Sequence, residues 1–122
     1  MTKIEDFIKL DKEFFVSITG LKVKFFWMLP RFYFHAIPSK IQAEKAPGNL
    51  YVEVKKVDGF QHTLTAWESK KHLLDFVYSS PHNKAIKAFT SIAHGKTCHF
   101  KTKKFPSWDY ALEYWKAHGK EY

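Results

Sequence analysis

The 122 residues, 14.4 kDa, suffice for one domain with a single sizeable core, and a composition of 45% hydrophobic and 18% aromatic residues excludes a disordered chain. No apolar run reaches membrane-spanning length: the longest candidate, 25–37, is interrupted by Pro30 and Arg31 and carries His35. The net charge of +8 and pI near 9.5 raise a nucleic-acid partner, but 19 of the 20 cationic residues are scattered lysines and only Arg31 carries the guanidinium fork that reads bases and phosphates.

Residues 1–11 read as an N-terminal helix, with Thr2 and Glu5 at capping-box spacing and Ile4, Phe7 and Ile8 on one face. This acidic start, with no apolar run leading to a small-residue cleavage site, argues against a signal peptide. From Glu13 to Thr19 the residues alternate as in a strand: Phe14, Val16 and Ile18 point one way, and Phe15, Ser17 and Thr19 the other. Gly20 either extends that strand or bends it.

The next segment, Phe25 to Ala46, is rich in aromatics. Pro30 suits the first turn of a helix, and Phe34, Ile37 and Ile41 share one face. Pro38 removes a helical hydrogen bond at a cost of ~3 kcal/mol, so a kink or two consecutive helices is expected there. Ala46-Pro47-Gly48 closes the helical stretch.

Leu50 to Val57 is a second strand, with Leu50, Val52 and Val54 set against Tyr51, Glu53 and Lys55. Asp58-Gly59 predicts a tight hairpin into a third strand, Phe60 to Trp67. Ser69 caps a helix carrying Leu73, Phe76 and Val77. Ser80 then caps another, with Pro81 at its first position, Ile86, Phe89 and Ala93 facing inward, and Gly95 as its stop. Lys96 to Lys103 is the fourth strand. Ser107 caps a C-terminal helix over 107–118, where Trp108, Leu112 and Trp115 form a stripe.

Without the terminal helices the order is β-α-β-β-α-β, an α+β, ferredoxin-like pattern in one domain spanning 1–122. Helices on one side of such a sheet would leave the other face bare, here with Phe15, Tyr51 and Trp67. A second copy is the simplest cover, giving a homodimer whose sheets close into a dimeric α/β barrel.

The candidate chemistry gathers around Trp67, at a strand end, and His82, in the first turn of a helix. The positive end of the helix dipole disfavours imidazolium, so His82 is expected neutral, as a proton acceptor, a hydrogen-bond donor or an axial haem ligand. The plainer readings are a polar residue at a helix start and, for Trp67, a core or dimer-contact ring. Tyr33 and His35 would flank a pocket opened near Pro38, and Ser17 and Thr65 offer hydroxyls on neighbouring strands. The seven histidines and the lone Cys98 show no metal-ligand spacing, and neither a phosphate loop nor a serine elbow is present. Cys98 reads as a small buried hydrophobe of a reducing compartment, so the protein is expected to be cytoplasmic with no membrane partner.

Leu29-Pro30-Arg31-Phe32, Ala46-Pro47-Gly48, Thr63-Leu64-Thr65-Ala66-Trp67, His82-Asn83-Lys84-Ala85 and Tyr114-Trp115 together resemble the spheroidene-monooxygenase-like group, among the antibiotic-biosynthesis-monooxygenase relatives of the dimeric α/β-barrel superfamily. The resemblance spans Phe14 to Trp115. It implies a homodimer with a pocket between sheet and helices in each protomer. It also implies an oxygenase of an aromatic or hydrophobic small molecule, acting without a cofactor or on haem. Trp67 and His82 match by position the pocket tryptophan and helix histidine of active relatives. Where those relatives often add an asparagine on the first strand, this chain has Ser17 and Thr19. The expectation is therefore a small-molecule-binding protein, Trp67 and His82 acting in catalysis and Tyr33, His35, Ser17 and Thr65 contacting substrate. Its alternatives are a non-catalytic ligand-binding or interaction protein on the same fold, or a basic RNA-associated protein.

Overall fold

A computed structural model describes residues 5, 8–10 and 12–121, apart from the side chains of 80–83 and 85. The helix expected over 1–11 falls largely outside these residues. Among them the chain forms β1 (Phe14–Val23), α1 (Leu29–Lys45), β2 (Asn49–Val57), β3 (Phe60–Trp67), α2 (Lys70–Val77), α3 (Ser80–Ile92), β4 (Ala93–Thr102), α4 (Trp108–His118) and β5 (Lys120–Glu121). A single 3-10 turn, Phe26–Met28, precedes α1. The strands make one antiparallel sheet in the order β2-β3-β1-β4-β5. This is the ferredoxin-like α+β arrangement, with the second crossover split into two helices.

Local chemistry accounts for most boundaries. Asp58 and Gly59 both take positive φ, 52° and 81°, as the two-residue turn between right-twisted strands requires. Ser69 Oγ accepts from His72 N at 3.2 Å and Ser107 Oγ from Tyr110 N at 3.1 Å, so both expected caps form. α3 differs: its N-cap is Ser79, whose hydroxyl donates to Phe76 O and leaves the new helix uncapped by a side chain. Gly95 does not stop that helix either. It lies in β4 opposite Leu21, where a Cβ would sit 2.3 Å from Leu21 Cδ2. Ladder pairing of Ala93–Gly95 with Val23–Leu21 ends α3 at Ile92 instead.

Gly20 extends β1. It faces His62 and Lys96 across the ladders, and a Cβ there would come within 2.4 Å of the Trp115 ring. α1 is one helix with Pro38 inside it, so the two-helix alternative is not realised. In β2 a bulge at Leu50 breaks the expected alternation. Leu50 and Tyr51 both join the cluster beneath α4, while Val52 and Val54 turn to the opposite face.

The sheet is covered on both sides. Phe14, Val16 and Ile18 of β1, with Leu64 and Ala66 of β3, pack on Ala111 and Trp115 of α4. The other face carries α1, α2 and α3, holding one cluster around Phe32, Phe89 and Ile92 and another around Trp67, Leu73 and Phe76. The bare face expected from the element order is therefore closed within the chain. Trp67 and Phe15 lie under α1 and α2, and Tyr51 packs with Phe105 at 4.7 Å. The sequence order gave no hint that α4 folds back over the sheet, because a helix stripe names no partner.

A second departure concerns α1. Its buried face is Phe32 and Ala43, with Ala36 and Ser39 half-buried between them. The stripe Phe34, Ile37 and Ile41 points outward, exposed to 75%, 56% and 46%. Among the described residues no helix is long and apolar enough to cross a membrane.

Candidate functional site

Successive residues of a strand face opposite sides, so the odd positions of β1, β3 and β4 form one surface below α1–α3. That surface is unusually rich in hydroxyls. Ser17 and Thr19, Thr63 and Thr65, and Thr97 lie on three adjacent strands, with Gln61 beside them. Above it, Phe32, Tyr33, Ala36, Ile37 and Ala43 of α1, Leu73, Phe76 and Val77 of α2, and Ile86 and Phe89 of α3 form an apolar roof. Between the layers lies a cavity of about 240 Å³. Small β-branched hydroxyl residues under bulky helix residues leave the layers apart, where larger strand side chains would fill the gap.

The floor is partly satisfied internally. The Thr19 and Thr97 hydroxyls bond at 3.1 Å. Thr65 Oγ1 accepts from Trp67 Nε1 at 2.9 Å, and its own proton has only the Ser17 carbonyl, 3.5 Å away, as a partner. Gln61 Nε2 is buried with no hydrogen-bond partner among the described residues. An orphaned buried donor is costly unless something else accepts from it. The cavity thus presents an amide N–H and a weakly engaged hydroxyl to whatever fills it.

Of the expected site residues, Ser17 and Thr65 lie in the floor and Tyr33 at the rim. Trp67 does not line the cavity. It is fully buried behind Thr65, stacked on Phe76 at 5.1 Å, with its N–H already engaged. Its reach toward a ligand runs through Thr65. His35 faces a shallow outer groove with Phe34, Pro38 and Lys84, edge-on to Phe89 at 6.4 Å, and is not part of the cavity. The expected site residue His82 has its backbone in α3, and its side chain lies outside the described residues.

Thr19, Thr63, Thr97 and Gln61 were missed as site residues. The signal for the threonines was present: hydroxyl residues two apart on β1 and on β3, which become neighbours of one another and of Thr97 once the register is known.

Of the groups with displaced pKa values, His62 borders the cavity, while His99 and Cys98 do not. His62 sits on the α4 face, edge-on to Trp115 at 4.7 Å, with Nδ1 buried and unpartnered. Burial lowers its pKa, against a hydrogen bond to the Thr19 backbone. His99 is lowered by burial and by Lys70 and Lys120. Burial pushes the Cys98 thiol up to about 11. Among the described residues no group of three or more His, Cys, Asp or Glu converges as a metal site would require.

With the layers, the sheet order and the cavity in view, solved structures place the fold. SnoaB, a cofactor-independent oxygenase from Streptomyces nogalater, superposes with a TM-score of 0.64 over 75% of this chain and 95% of its own, at 8% identity. The chain shares the ferredoxin-like fold of that oxygenase. A Caulobacter crescentus CB15 protein proposed to be such a monooxygenase matches over 76% of this chain and 91% of its own, with a TM-score of 0.63 and 14% identity. A conserved Bacteroides thetaiotaomicron protein, described as a possible oxidoreductase, gives 0.66 over 74% and 98%, at 10% identity. No protein-family model and no curated protein matches the chain. At such identities the likeness is one of fold. These proteins align over nearly their whole length with about three quarters of this one.

Proposed function

We propose that this protein binds a small, apolar, ring-bearing molecule with one hydrogen-bond-accepting oxygen, held in the cavity between the sheet and α1–α3. The observation that carries this reading is Gln61 Nε2, a buried donor without a partner in the floor of a cavity roofed by hydrocarbon and aromatic side chains. Such sites take their affinity from apolar burial and their orientation from a few polar groups. Gln61 and Thr65 would grip the acceptor oxygen, and the aromatic roof would take the rings. At about 240 Å³ the space lies below the roughly 300–1,000 Å³ usual for ligand pockets. That size favours a compact ligand over a macrocycle such as haem.

Oxygenation of the bound molecule is the reaction to which the fold likeness points. Its support is the cofactor-independent oxygenase among the structural neighbours and a cavity walled largely by hydrocarbon and aromatic side chains. In that reaction the chain would contribute orientation: Trp67 fixes the Thr65 hydroxyl, and Thr65 and Gln61 hold the substrate oxygen. The ionisable residues among the described lining are Tyr33, Lys40 and His62, so a proton acceptor would have to come from them or from His82. Ligand binding without chemistry is the rival on the same scaffold. A free, buried Cys98 agrees with a reducing compartment such as the cytoplasm.

The test uses a matched pair, 9-fluorenone and fluorene, which differ by one carbonyl oxygen, read by tryptophan fluorescence. Fluorenone should bind more tightly, and Gln61→Leu should remove roughly three- to tenfold of that preference, the worth of one neutral hydrogen bond. Equal affinity for the two, or no effect of Gln61→Leu, would refute the assignment. Oxygen consumption with a ketone that enolises to an electron-rich phenol, such as anthrone, then separates oxygenation from binding alone.

A further inference from the structure

We propose that the 3-10 turn before α1 and the outer stripe of α1 form a docking surface for an anionic lipid bilayer. The turn and the residue before it carry Phe25, Phe26 and Trp27, exposed to 50%, 77% and 61%, and α1 continues the patch with Phe34, Ile37 and Ile41. Three consecutive solvent-facing aromatics followed by an outward apolar stripe exceed the scattered single hydrophobes of an ordinary surface. Phe25 and Trp27 stack on one another at 4.6 Å, with Phe26 edge-on to Trp27 at 5.4 Å, so the rings form one body.

Charge selects the occupant. Between Phe14 and Val52 the only acidic residue is Glu44, against Lys22, Lys24, Arg31, Lys40 and Lys45. Glu44 is held by Lys40 on the same helix at 3.4 Å. From α3, Lys84 lines the shallow groove beside Phe34 and Ile37. A second copy packed here about a two-fold axis would set these cations against their own images, with only the Lys40-paired Glu44 to offset them. A surface that is negative outside and hydrocarbon beneath suits both halves of the patch. Aromatic rings seat at the headgroup level, and lysines and arginine meet the anionic lipids.

The position adds a purpose, which rests on the ligand-binding reading above. Tyr33 and Ile37 belong both to the exposed side of α1 and to the wall of the cavity. A ligand dissolved in the bilayer would reach the cavity without crossing water. The sequence, lacking any spanning segment, led to no membrane partner being expected; the outward stripe of α1 is what changes that.

The experiment is co-sedimentation of the whole protein with vesicles of phosphatidylcholine, with and without phosphatidylglycerol. The protein should pellet with the anionic vesicles and not with the neutral ones, and Trp27 fluorescence should shift to the blue. The double substitution Phe26→Ser with Trp27→Ser should weaken binding at least ~tenfold, because two ring anchors are lost. Half-molar salt should weaken it several-fold further. Tyr110→Ser on α4, an exposed aromatic outside the patch, should change nothing. Failure to pellet would overturn the proposal, as would binding that survives the double substitution and so needs lysines alone. A dimer in vesicle-free solution that the double substitution disperses, with no vesicle binding, would assign the patch to a second copy instead. Since fluorenone binding is measured without lipid, the two readings can fail separately.

Discussion

The indole N–H of Trp67 donates to the hydroxyl of Thr65, 2.9 Å away, with both residues on the same face of β3 and only Thr65 reaching the cavity. The tryptophan that the sequence nominates for catalysis thereby meets the cavity only through Thr65. Because Thr65 Oγ1 accepts from the indole, its proton is left with only the long contact to the Ser17 carbonyl, at 3.5 Å.

Thr65→Val should leave the Trp67 N–H buried without an acceptor and cost about 1–3 kcal/mol of stability. Thr65→Ser retains the oxygen and should recover most of it. Urea denaturation compares the two, and fluorenone titration of the folded variants should show weaker binding for the valine. Equal unfolding midpoints for Thr65→Val and the parent would mean the hydrogen bond does not matter.

Gly20 lies beneath Trp115 and His62, with no room for a methyl group. Gly20→Ala should lower stability by about 1–3 kcal/mol through overpacking, while Gly59→Ala, with its nearest contact at 3.4 Å, strains the backbone through its φ of 81° rather than its neighbours. Thermal unfolding of Gly20→Ala alone and with Trp115→Phe separates the causes. The smaller ring should relieve part of the loss.

Trp115 is nearly fully buried and donates from Nε1 to Lys96 O at 2.7 Å. Trp115→Ala should cost about 3–5 kcal/mol. Loss of α4 from the sheet should also expose apolar surface, read as binding of an anionic naphthalene dye. A variant as stable as the parent would show that α4 contributes little cover.

The lowered pKa of His62 fixes the direction of one pH effect. The unfolded chain protonates near the ordinary value of 6.5 while the folded ring resists, so stability is whole above that value and declines as pH falls below it. His99 acts in the same sense. The urea midpoint should fall between pH 7.5 and 5.5, and His62→Phe should reduce that fall. An unchanged pH slope in the variant would assign the effect to other groups.

Cys98 should be a poor nucleophile. With the thiol at about 11, little thiolate exists at pH 8, and the side chain is 8% exposed. Alkylation by iodoacetamide should be at least ~100-fold slower in the native protein than in guanidinium, given that pKa gap and burial. Comparable rates would place the thiol in a far more open setting.

Much of the scaffold was legible in the chain. Asp58-Gly59, Ser69 and Ser107 work through interactions within three residues, which a sequence displays directly. What could not be read depends on long-range pairing. The bulge at Leu50 and the early end of α3 are set by the ladders of β2 with β3 and of β1 with β4. The outward turn of Phe34 and Ile37 could not be foreseen either, since periodicity finds a stripe but not its neighbour. At the site, Ser17 and Thr65 were identifiable as hydroxyl positions, whereas the role of Gln61 needs the cavity above it, and Trp67 reads as a pocket ring until its N–H is seen to be taken.

The helix α4 seals a sheet that is complete only when residues more than forty positions apart have met. During synthesis β1, β2, β3 and β4 therefore emerge before the segment that shields their oily side, and for that interval Val16, Ile18 and Leu64 stand open to any other chain nearby. The hazard in making this protein is concentrated in the moments before Trp115 leaves the ribosome, and a fusion or trimming that holds α4 away would prolong them indefinitely.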